Sequence, residues 1–388
     1  MLCFLTVTAT LHRCVSRFHP CMKGNDDDAG NTLDNSQMGF SCGAMKCFLY
    51  NVARTVSRWG QDVGDDDDVH LICLGKYHGK ATANVVRAAA QKLLYFSYRR
   101  QFEPLRNGAT SDVGWGCTIR ACQMMLAWAF MRYRNGGSVT MDDNVVDSLK
   151  EFTQRLFYDV PTAPFGIHAM TNEGVRHGVT CGMWFGPTPM AKVIGALNEA
   201  YRSSGGEGPE VLVASDRQIG VQDVVVRLQR SQHVVLLIPV KLGPQTVSVT
   251  YANALKRFFE MGSSIGAVGG EKNSAYFFFG YQGDKIIHLD PHYVQCALTS
   301  PNSNGTLAGT WRSLPVMQCN TSALLGFYVS SCDELDQFRK DIAEINSSLI
   351  YPLIEVSSGT CANRSINVDN LDEHNVLSFD EDEFMVIS

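Results

Sequence analysis

Apolar residues recur through the middle of the chain with the spacing of amphipathic helices. The longest such pattern covers Cys117–Arg132, where Ile119, Leu126 and Phe130 fall on successive turns. A periodic pattern of this length predicts a long helix that packs against a core. The same spacing predicts further helices over Val85–Leu94, Val145–Phe157, Met190–Tyr201, Val221–Leu228 and Asn253–Met261.

Short apolar runs in the second half of the chain have the length and composition of β-strands. Between two of these runs, Tyr281–Asp284 contains the glycine and polar residues of a hairpin turn. Helices early and hairpin-linked strands late predict an α+β fold, with helices packed on a mainly antiparallel sheet. The predicted strands are Val211–Ala214, Val234–Val240, Tyr276–Tyr281, Lys285–Leu289 and Leu325–Val329.

Both ends of the chain are polar and acidic. Asp26–Asp28 and Asp65–Asp68 lie among glycine, asparagine and serine, and acidic residues dominate after Ser357. Blocks of like charge repel one another and hydrate well, so they seldom pack into a fold. The expected division is a flexible acidic arm over residues 1–70, a folded domain over 71–356 and a flexible acidic tail over 357–388.

The composition narrows the class of protein. The chain has 388 residues, of which 45% are hydrophobic, so it can bury a core. Its formal net charge is −6, whereas nucleic-acid-binding proteins carry an excess of basic residues. We therefore expect no nucleic-acid partner. No run approaches the roughly 20 apolar residues of a membrane-spanning helix. The 13 cysteines are an odd number without C-x-x-C spacing, which favours free thiols in a reducing compartment such as the cytoplasm.

One cysteine occupies an unusual local sequence. Gly114 and Gly116 flank Trp115, and the helical pattern begins directly afterwards at Cys117. The thiol therefore falls in the first turn of a helix, where the free N–H groups and the helix dipole favour a thiolate. The backbone N–H of Cys117 would also be free to bind an oxyanion. A buried cysteine without chemistry is the alternative.

A candidate base for this thiol lies 175 residues later. Asp290 and His292 are two residues apart after an apolar run, and on a strand such residues point to the same face. Pro291 would end the strand between them. A carboxylate beside an imidazole holds its tautomer and stabilises the imidazolium. The pattern predicts a catalytic triad of Cys117, His292 and Asp290.

A metal site is the rival interpretation of the same segment. His288, Asp290 and His292 alternate along the predicted strand and could form a three-ligand face. The chain has no H-E-x-x-H helix, and a metal site would leave the loop before Cys117 without a role. We therefore expect no metal, and we expect His168 and His177 to be structural.

Several motifs, in this order along the chain, resemble those of the autophagins. These cysteine proteases process the ubiquitin-like autophagy modifier. The resemblance extends over about residues 71–335. The matching segments are Leu71–Tyr77, Ser97–Arg99, Thr110–Cys117, Pro164–His168, Trp184–Pro187, Leu237–Pro239, Gly269–Gly270, Tyr281–His292 and Gly326–Phe327.

The resemblance implies a papain-like fold with a small additional subdomain and the same triad of Cys117, His292 and Asp290. It also implies that Tyr98 helps to form the oxyanion hole, which the residues alone would not have indicated. It further implies that a loop at Met261–Gly266 covers the site. No metal or organic cofactor is implied.

The implied reaction is cleavage of the modifier after its C-terminal glycine. The partners would be the soluble precursor and the form conjugated to phosphatidylethanolamine, so the protein would meet a membrane surface only through its substrate. Two alternatives remain open from the sequence. The chain could be a thiol protease for another ubiquitin-like protein, or a catalytically weak adaptor that binds the modifier.

The acidic tail contains a second candidate feature. Phe384 and Ile387 are separated by two residues and follow the acidic run 380–383. An extended segment of this type can add to the edge of a sheet, with its alternate side chains in pockets. It resembles the short motif that docks on the autophagy modifier. The alternative is a solvated acidic tail without a partner.

Overall fold

The computed structural model describes residues 50–52, 69–73, 75–77, 83–214, 216–301 and 311–359. Phe384 and Ile387, with the acidic run that precedes them, lie outside the described residues.

Thirteen strands and eight α-helices are described. The strands are β1 (Val69–Leu71), β2 (Gly75–Tyr77), β3 (Arg99–Arg100), β4 (Glu210–Val213), β5 (Gln218–Gly220), β6 (Val234–Lys241), β7 (Ser264–Glu271), β8 (Ser274–Gln282), β9 (Lys285–Leu289), β10 (Gln295–Cys296), β11 (Trp311–Pro315), β12 (Ser322–Val329) and β13 (Glu355–Ser357). The helices are α1 (Ala83–Lys92), α2 (Cys117–Arg134), α3 (Asp143–Gln154), α4 (Ile167–Gly174), α5 (Pro187–Ser203), α6 (Val221–Ser231), α7 (Val249–Glu260) and α8 (Cys332–Ser347).

Nine of the described strands form one large sheet. Its main order is β11-β9-β8-β7-β12-β6-β4, with β1 beside β8 and β2 beside β1. All neighbouring pairs in this sheet are antiparallel except β4 and β6. The α+β fold with a mainly antiparallel sheet is therefore confirmed. None of the helices in the described ranges is long and apolar enough to cross a membrane.

Helix α2 is the centre of the core. Every residue from Cys117 to Arg132 is buried, as expected for a helix that is enclosed on all sides. The helix packs on β7 and β8. It also approaches β12 closely, because a Cβ on Gly326 would lie 2.8 Å from the sulfur of Met125. This packing of a central helix on an antiparallel sheet is the papain-like arrangement that the resemblance implied.

Strand β7 was not predicted, because glycines interrupt its apolar pattern. Glycine weakens strands in general, yet here close packing requires it. A Cβ on Gly270 would lie 1.8 Å from the carbonyl oxygen of Ser274, and one on Gly269 would lie 2.6 Å from the ring of Phe278. Sequence patterns also missed α4, α8 and β11, and α8 carries a clear apolar spacing at Leu335, Phe338, Ile342 and Ile345.

The folded part extends into the predicted N-terminal arm. Strand β1 begins at Val69, and the ring of His70 stacks on Tyr281 with centroids 4.9 Å apart. Further upstream, the Asn51 side chain donates to the carbonyl of Val294 and accepts from its N–H, at 3.0 and 2.9 Å. Asn51, Val69 and His70, which the sequence assigned to the N-terminal arm, therefore contact the folded domain, whereas the division of the chain at residue 70 stays a prediction.

The cysteines are not all free. Cys296 forms a disulfide. The expectation of free thiols holds for Cys73, Cys117, Cys122, Cys181, Cys319 and Cys332.

Candidate active site

Cys117 is the first residue of α2, as the sequence pattern predicted. The loop before it is held by Asp112, whose carbonyl accepts the N–H of Gly116 at 2.9 Å. A Cβ on Gly116 would lie 2.5 Å from a carboxylate oxygen of Asp112, so only glycine fits there. Gly114 adopts φ +92°, a conformation that also favours glycine. The two glycines thus let the loop turn directly into the helix that carries the thiol.

Asp290 and His292 are brought together, although not on a strand. Strand β9 ends at Leu289, so both residues lie just beyond it. One carboxylate oxygen of Asp290 accepts the backbone N–H of His292 at 3.0 Å and its ring Nδ1 at 2.6 Å. Both side chains are nearly inaccessible, at 1% and 5% exposure. The carboxylate therefore fixes the Nδ1–H tautomer and leaves Nε2 available for another group.

The imidazole of His292 and the thiol of Cys117 perturb each other. Burial by itself would raise the pKa of Cys117, but hydrogen bonding with His292, its charge and the indole of Trp184 outweigh burial and lower the pKa. Burial would lower the pKa of His292, but Asp290 and Cys117 outweigh it and raise the pKa. Although Nε2 of His292 lacks a hydrogen bond of strict geometry among the described residues, both shifts favour a thiolate–imidazolium pair.

Tyr98 lies against the same two groups. It is 2% exposed, and its ring meets that of His292 edge-on, with centroids 5.2 Å apart. Burial raises the pKa of Tyr98, and the charge and hydrogen bond of Cys117 raise it further. Its hydroxyl therefore stays protonated next to the thiol and can act as a donor. Its backbone N–H donates to the Pro291 carbonyl at 2.8 Å, which ties it to the segment of His292.

Sequence reasoning did not assign a role to Trp184. Its indole Nε1 donates a hydrogen bond to the sulfur of Cys117 at 2.9 Å. The tryptophan lies in the loop before α5, and no spacing in the sequence connects it with the thiol. Its presence in a matching motif was the only signal that could have found it. A cleft beside the thiol is lined by residues that include Thr118, Trp184, Gly269, Gly270 and Ala275.

The segment Met261–Gly266 does not cover the site. The carbonyl of Gly262 accepts a hydrogen bond from Arg132 at 3.4 Å, at the far end of α2. Arg132 is 15 residues after Cys117, which corresponds to roughly 22 Å along a helix. Instead, the β7–β8 turn approaches the site, because Ala275 packs with Cys117 in one apolar cluster.

The structure does not support the metal alternative. The ring of His288 lies on that of Tyr276, with centroids 4.4 Å apart. Within the described ranges, no group of three or more histidine, cysteine or acidic side chains is arranged to hold a metal ion. His168 contacts the backbone carbonyl of Glu103 through Nε2 at 2.7 Å. His177 pairs with an acid on its own helical segment at 3.4 Å.

The arrangement can perform nucleophilic acyl chemistry. It combines an acidified thiol, an imidazole with a raised pKa, a carboxylate that orients the imidazole and a protonated phenol beside the sulfur. A thiol protease requires a nucleophile, a base, a group that orients the base and an oxyanion donor, and these side chains are of the types that can supply them.

Comparisons with known proteins agree with this chemistry. The model of the peptidase C54 catalytic domain matches residues 83–341. The cysteine protease ATG4A of Homo sapiens is 30% identical over 327 residues, covering 72% of this chain and 81% of the relative. The Xenopus laevis ATG4A is 30% identical over 333 residues, covering 74% and 82%. The Xenopus laevis ATG4B is 28% identical over 296 residues, covering 68% and 76%. The chain therefore belongs to the peptidase C54 family of autophagy-related cysteine proteases, the autophagins.

Proposed function

We propose that this protease cleaves the ubiquitin-like autophagy modifier after its C-terminal glycine. The same cut would mature the soluble precursor and release the form conjugated to phosphatidylethanolamine. The observation that carries the proposal is the acidified Cys117 thiol at the start of α2, next to the buried His292–Asp290 pair, in a chain of this family. The reaction would take place in the cytoplasm, without a metal or organic cofactor.

In the proposed reaction, the Cys117 thiolate attacks the carbonyl carbon of the glycine, and the carbonyl electrons move onto oxygen. The Cys117 N–H and the Tyr98 hydroxyl would hold this oxyanion, each contributing roughly 3–4 kcal/mol. Collapse of the intermediate breaks the C–N bond, and His292 gives its proton to the leaving amine. His292 then takes a proton from water, which hydrolyses the thioester and restores the thiol.

The cleft beside the thiol supports a glycine at the cleaved bond. The indole of Trp184 donates a hydrogen bond to the sulfur, and backbone of Gly269 and Gly270 forms part of the lining. A residue without a side chain would pass most easily between an indole and a backbone wall. The leaving group differs between the two substrates, since it is a peptide amine in the precursor and a lipid amine in the conjugate. Membrane contact would then come through the substrate.

The test is a mass measurement on the full chain with a modifier that carries residues beyond its glycine. We expect a product that ends at the glycine, and release of modifier from vesicles that carry the lipid conjugate. No cleavage of either form, with cleavage of another ubiquitin-like fusion, would favour a different substrate. Tight binding without turnover on any fusion would favour an adaptor.

Phe384 and Ile387 are proposed to dock on the modifier as an extended segment. Their replacement by alanine should weaken binding of the modifier about tenfold, which corresponds to a loss of about 1.4 kcal/mol for the two apolar anchors together. The matched control replaces Met385 and Val386, which occupy the spacer positions. Equal affinity of all variants by calorimetry would discard the docking role.

Replacement of Tyr98 by phenylalanine should reduce kcat about 10²- to 10³-fold with little change in KM. The change removes one oxyanion donor that acts mainly in the transition state. Tyr276→Phe is the matched control, since that ring also packs near His292 but its hydroxyl bonds to Glu271 at 3.3 Å. A Tyr98→Phe enzyme with kcat within threefold of the parent would remove Tyr98 from the oxyanion hole.

Replacement of Trp184 by phenylalanine should raise the pKa of the Cys117 thiol by about one unit. A hydrogen bond to a charged group contributes about 1.5–3 kcal/mol, and in the variant a water molecule should restore part of this stabilisation of the thiolate. Because the thiolate exists only above this pKa, the acid limb of the pH–rate profile should move to higher pH. Alkylation of Cys117 against pH measures the shift directly. Trp115→Phe is the control, and an equal shift there would contradict the assignment to Trp184.

A further inference from the structure

A fully buried network of charges lies directly behind the site. Arg120 is one turn after Cys117 on α2, and its side chain is 0% exposed. Its Nε donates to Asp112 at 2.7 Å, and its Nη1 donates to Asp159 at 2.7 Å. Nη1 also donates to the side-chain oxygen of Gln123 at 3.1 Å. None of these groups has a part in the reaction steps above.

Each carboxylate of the network also holds the backbone of another segment. A carboxylate oxygen of Asp112 accepts the N–H of Arg99 at 2.6 Å, and Arg99 directly follows Tyr98. A carboxylate oxygen of Asp159 accepts the N–H of Leu298 at 2.8 Å. The N–H of Asp159 donates to the carbonyl of Leu298 at 2.7 Å. The two acids therefore bind two different segments of backbone to one guanidinium.

Both of these segments carry site residues. The chain that leads from His292 to Leu298 runs beside β3, and the N–H of Gln295 donates to the carbonyl of Tyr98 at 2.9 Å. Strands β10 and β3 pair in parallel along this stretch. Arg120 itself lies on the helix that begins at Cys117. One side chain thus connects the three segments that bear the thiol, the phenol and the imidazole.

Stability alone does not account for such a network. Moving charged groups from water into the protein interior costs free energy. Well-packed apolar residues of similar size often stabilise a fold equally well. The formal charges of the network also balance, because the buried guanidinium of Arg99 is the second cation beside the two acids. Burial lowers the pKa of Arg99 to about 10, partly offset by Asp159. What the ion pairs add over an apolar core is a fixed geometry, since a guanidinium holds two carboxylates at defined angles.

We propose that Arg120 is a positioning residue that sets the relative placement of Tyr98, Cys117 and His292 through Asp112 and Asp159. It touches no reacting atom. The inference rests on the proposed role of Cys117 as the nucleophile. A lysine at this position would keep the charge, but its single ammonium could not occupy both the Nε and Nη1 positions.

The test compares Arg120→Met, Arg120→Lys and Asp159→Asn with Arg132→Met in the full chain. Arg132 is the matched control because it is also a buried arginine of α2, stacked on Tyr328 at 4.4 Å near the other end of the helix. Three quantities are measured for each variant: the pH dependence of Cys117 alkylation by iodoacetamide, kcat and KM, and the temperature of unfolding.

For Arg120→Met we expect the alkylation curve to move up by at least one pH unit and kcat to fall about 100-fold, with KM within threefold, since a misplacement near 1 Å can cost this much. Arg132→Met should lower the temperature of unfolding and leave the alkylation curve in place. If Arg120→Met does not fold, the milder variants Arg120→Lys and Asp159→Asn test the proposal instead. Their alkylation curves should move in the same direction by a smaller amount.

Wild-type alkylation curves in the folded Arg120 and Asp159 variants would overturn the proposal, as would an equal shift in Arg132→Met. Failure of the nucleophile role of Cys117, on which this inference rests, looks different. In that case Cys117 of the parent protein would itself alkylate with the pH dependence of an ordinary thiol.

Discussion

Replacement of Cys117 by alanine should abolish cleavage, with kcat reduced by about 10⁶, as for loss of a nucleophile in other proteases. The reduction should be this large because, in the proposed reaction, the thiol would form the covalent intermediate. Folding should be preserved, since alanine favours a helix and the change removes only one atom. The measurement is single-turnover cleavage of the extended modifier, followed by mass, with circular dichroism as the check on folding.

Two other thiols provide matched controls for this variant. Cys122 is a buried thiol five residues further along the same helix, and Cys181 is a partly exposed thiol whose sulfur contacts Asn107 at 3.2 Å. Alanine at either position should leave cleavage within a few-fold of the parent. Retained cleavage by Cys117→Ala, or its loss in Cys122→Ala or Cys181→Ala with normal folding, would transfer the nucleophile to another residue.

Replacement of Asp290 by alanine should reduce kcat about 10⁴-fold. The carboxylate accepts both the backbone N–H and Nδ1 of His292 with one oxygen, so its removal frees the ring to rotate and to change tautomer. It also removes the charge that raises the pKa of His292. The thiolate–imidazolium pair should then be lost even where the fold is intact.

Asp290→Asn separates orientation from charge. The amide oxygen can still accept from His292, so kcat should fall less than in Asp290→Ala. Without the charge, the pKa of His292 should drop. Because the imidazolium exists only below this pKa, the alkaline limb of the pH–rate profile should move to lower pH. Asp284→Asn, at an exposed ion pair on the β8–β9 turn, is the control and should leave the profile unchanged. An unmoved alkaline limb in Asp290→Asn would contradict the electrostatic role.

The sequence predicted those features that depend on local pattern. Strand β9 was predicted with its exact bounds because its apolar run is continuous and a hairpin turn precedes it. Helix α2 was predicted to begin at Cys117 because two glycines give way directly to helical spacing. The same local spacing brought Asp290 and His292 together as candidates, although their contact forms beyond the strand and not on it.

Features that depend on contacts through space could not be predicted in this way. Trp184 lies 67 residues after Cys117 in the sequence, and no sequence periodicity predicts the contact between them. Arg120, Asp112 and Asp159 are charged, and charged residues ordinarily indicate an exposed surface. Their burial became apparent only when the three segments were seen to meet behind the site. Strand β7 was missed for a related reason. Its glycines are required by close contacts with aromatic rings and carbonyl groups of other segments, and these contacts cannot be read from the local sequence.

The proposed reaction requires that Cys117 attack the carbonyl of the glycine at the end of the autophagy modifier. The most direct measurement uses a modifier whose terminal glycine is replaced by a propargylamide, which captures an attacking thiolate as a stable thioether. We predict one covalent adduct with the mass of both chains, mapped by peptide mass to Cys117 and absent in Cys117→Ala. An adduct on a different cysteine, or capture only by another ubiquitin-like protein with the same group, would contradict the claim.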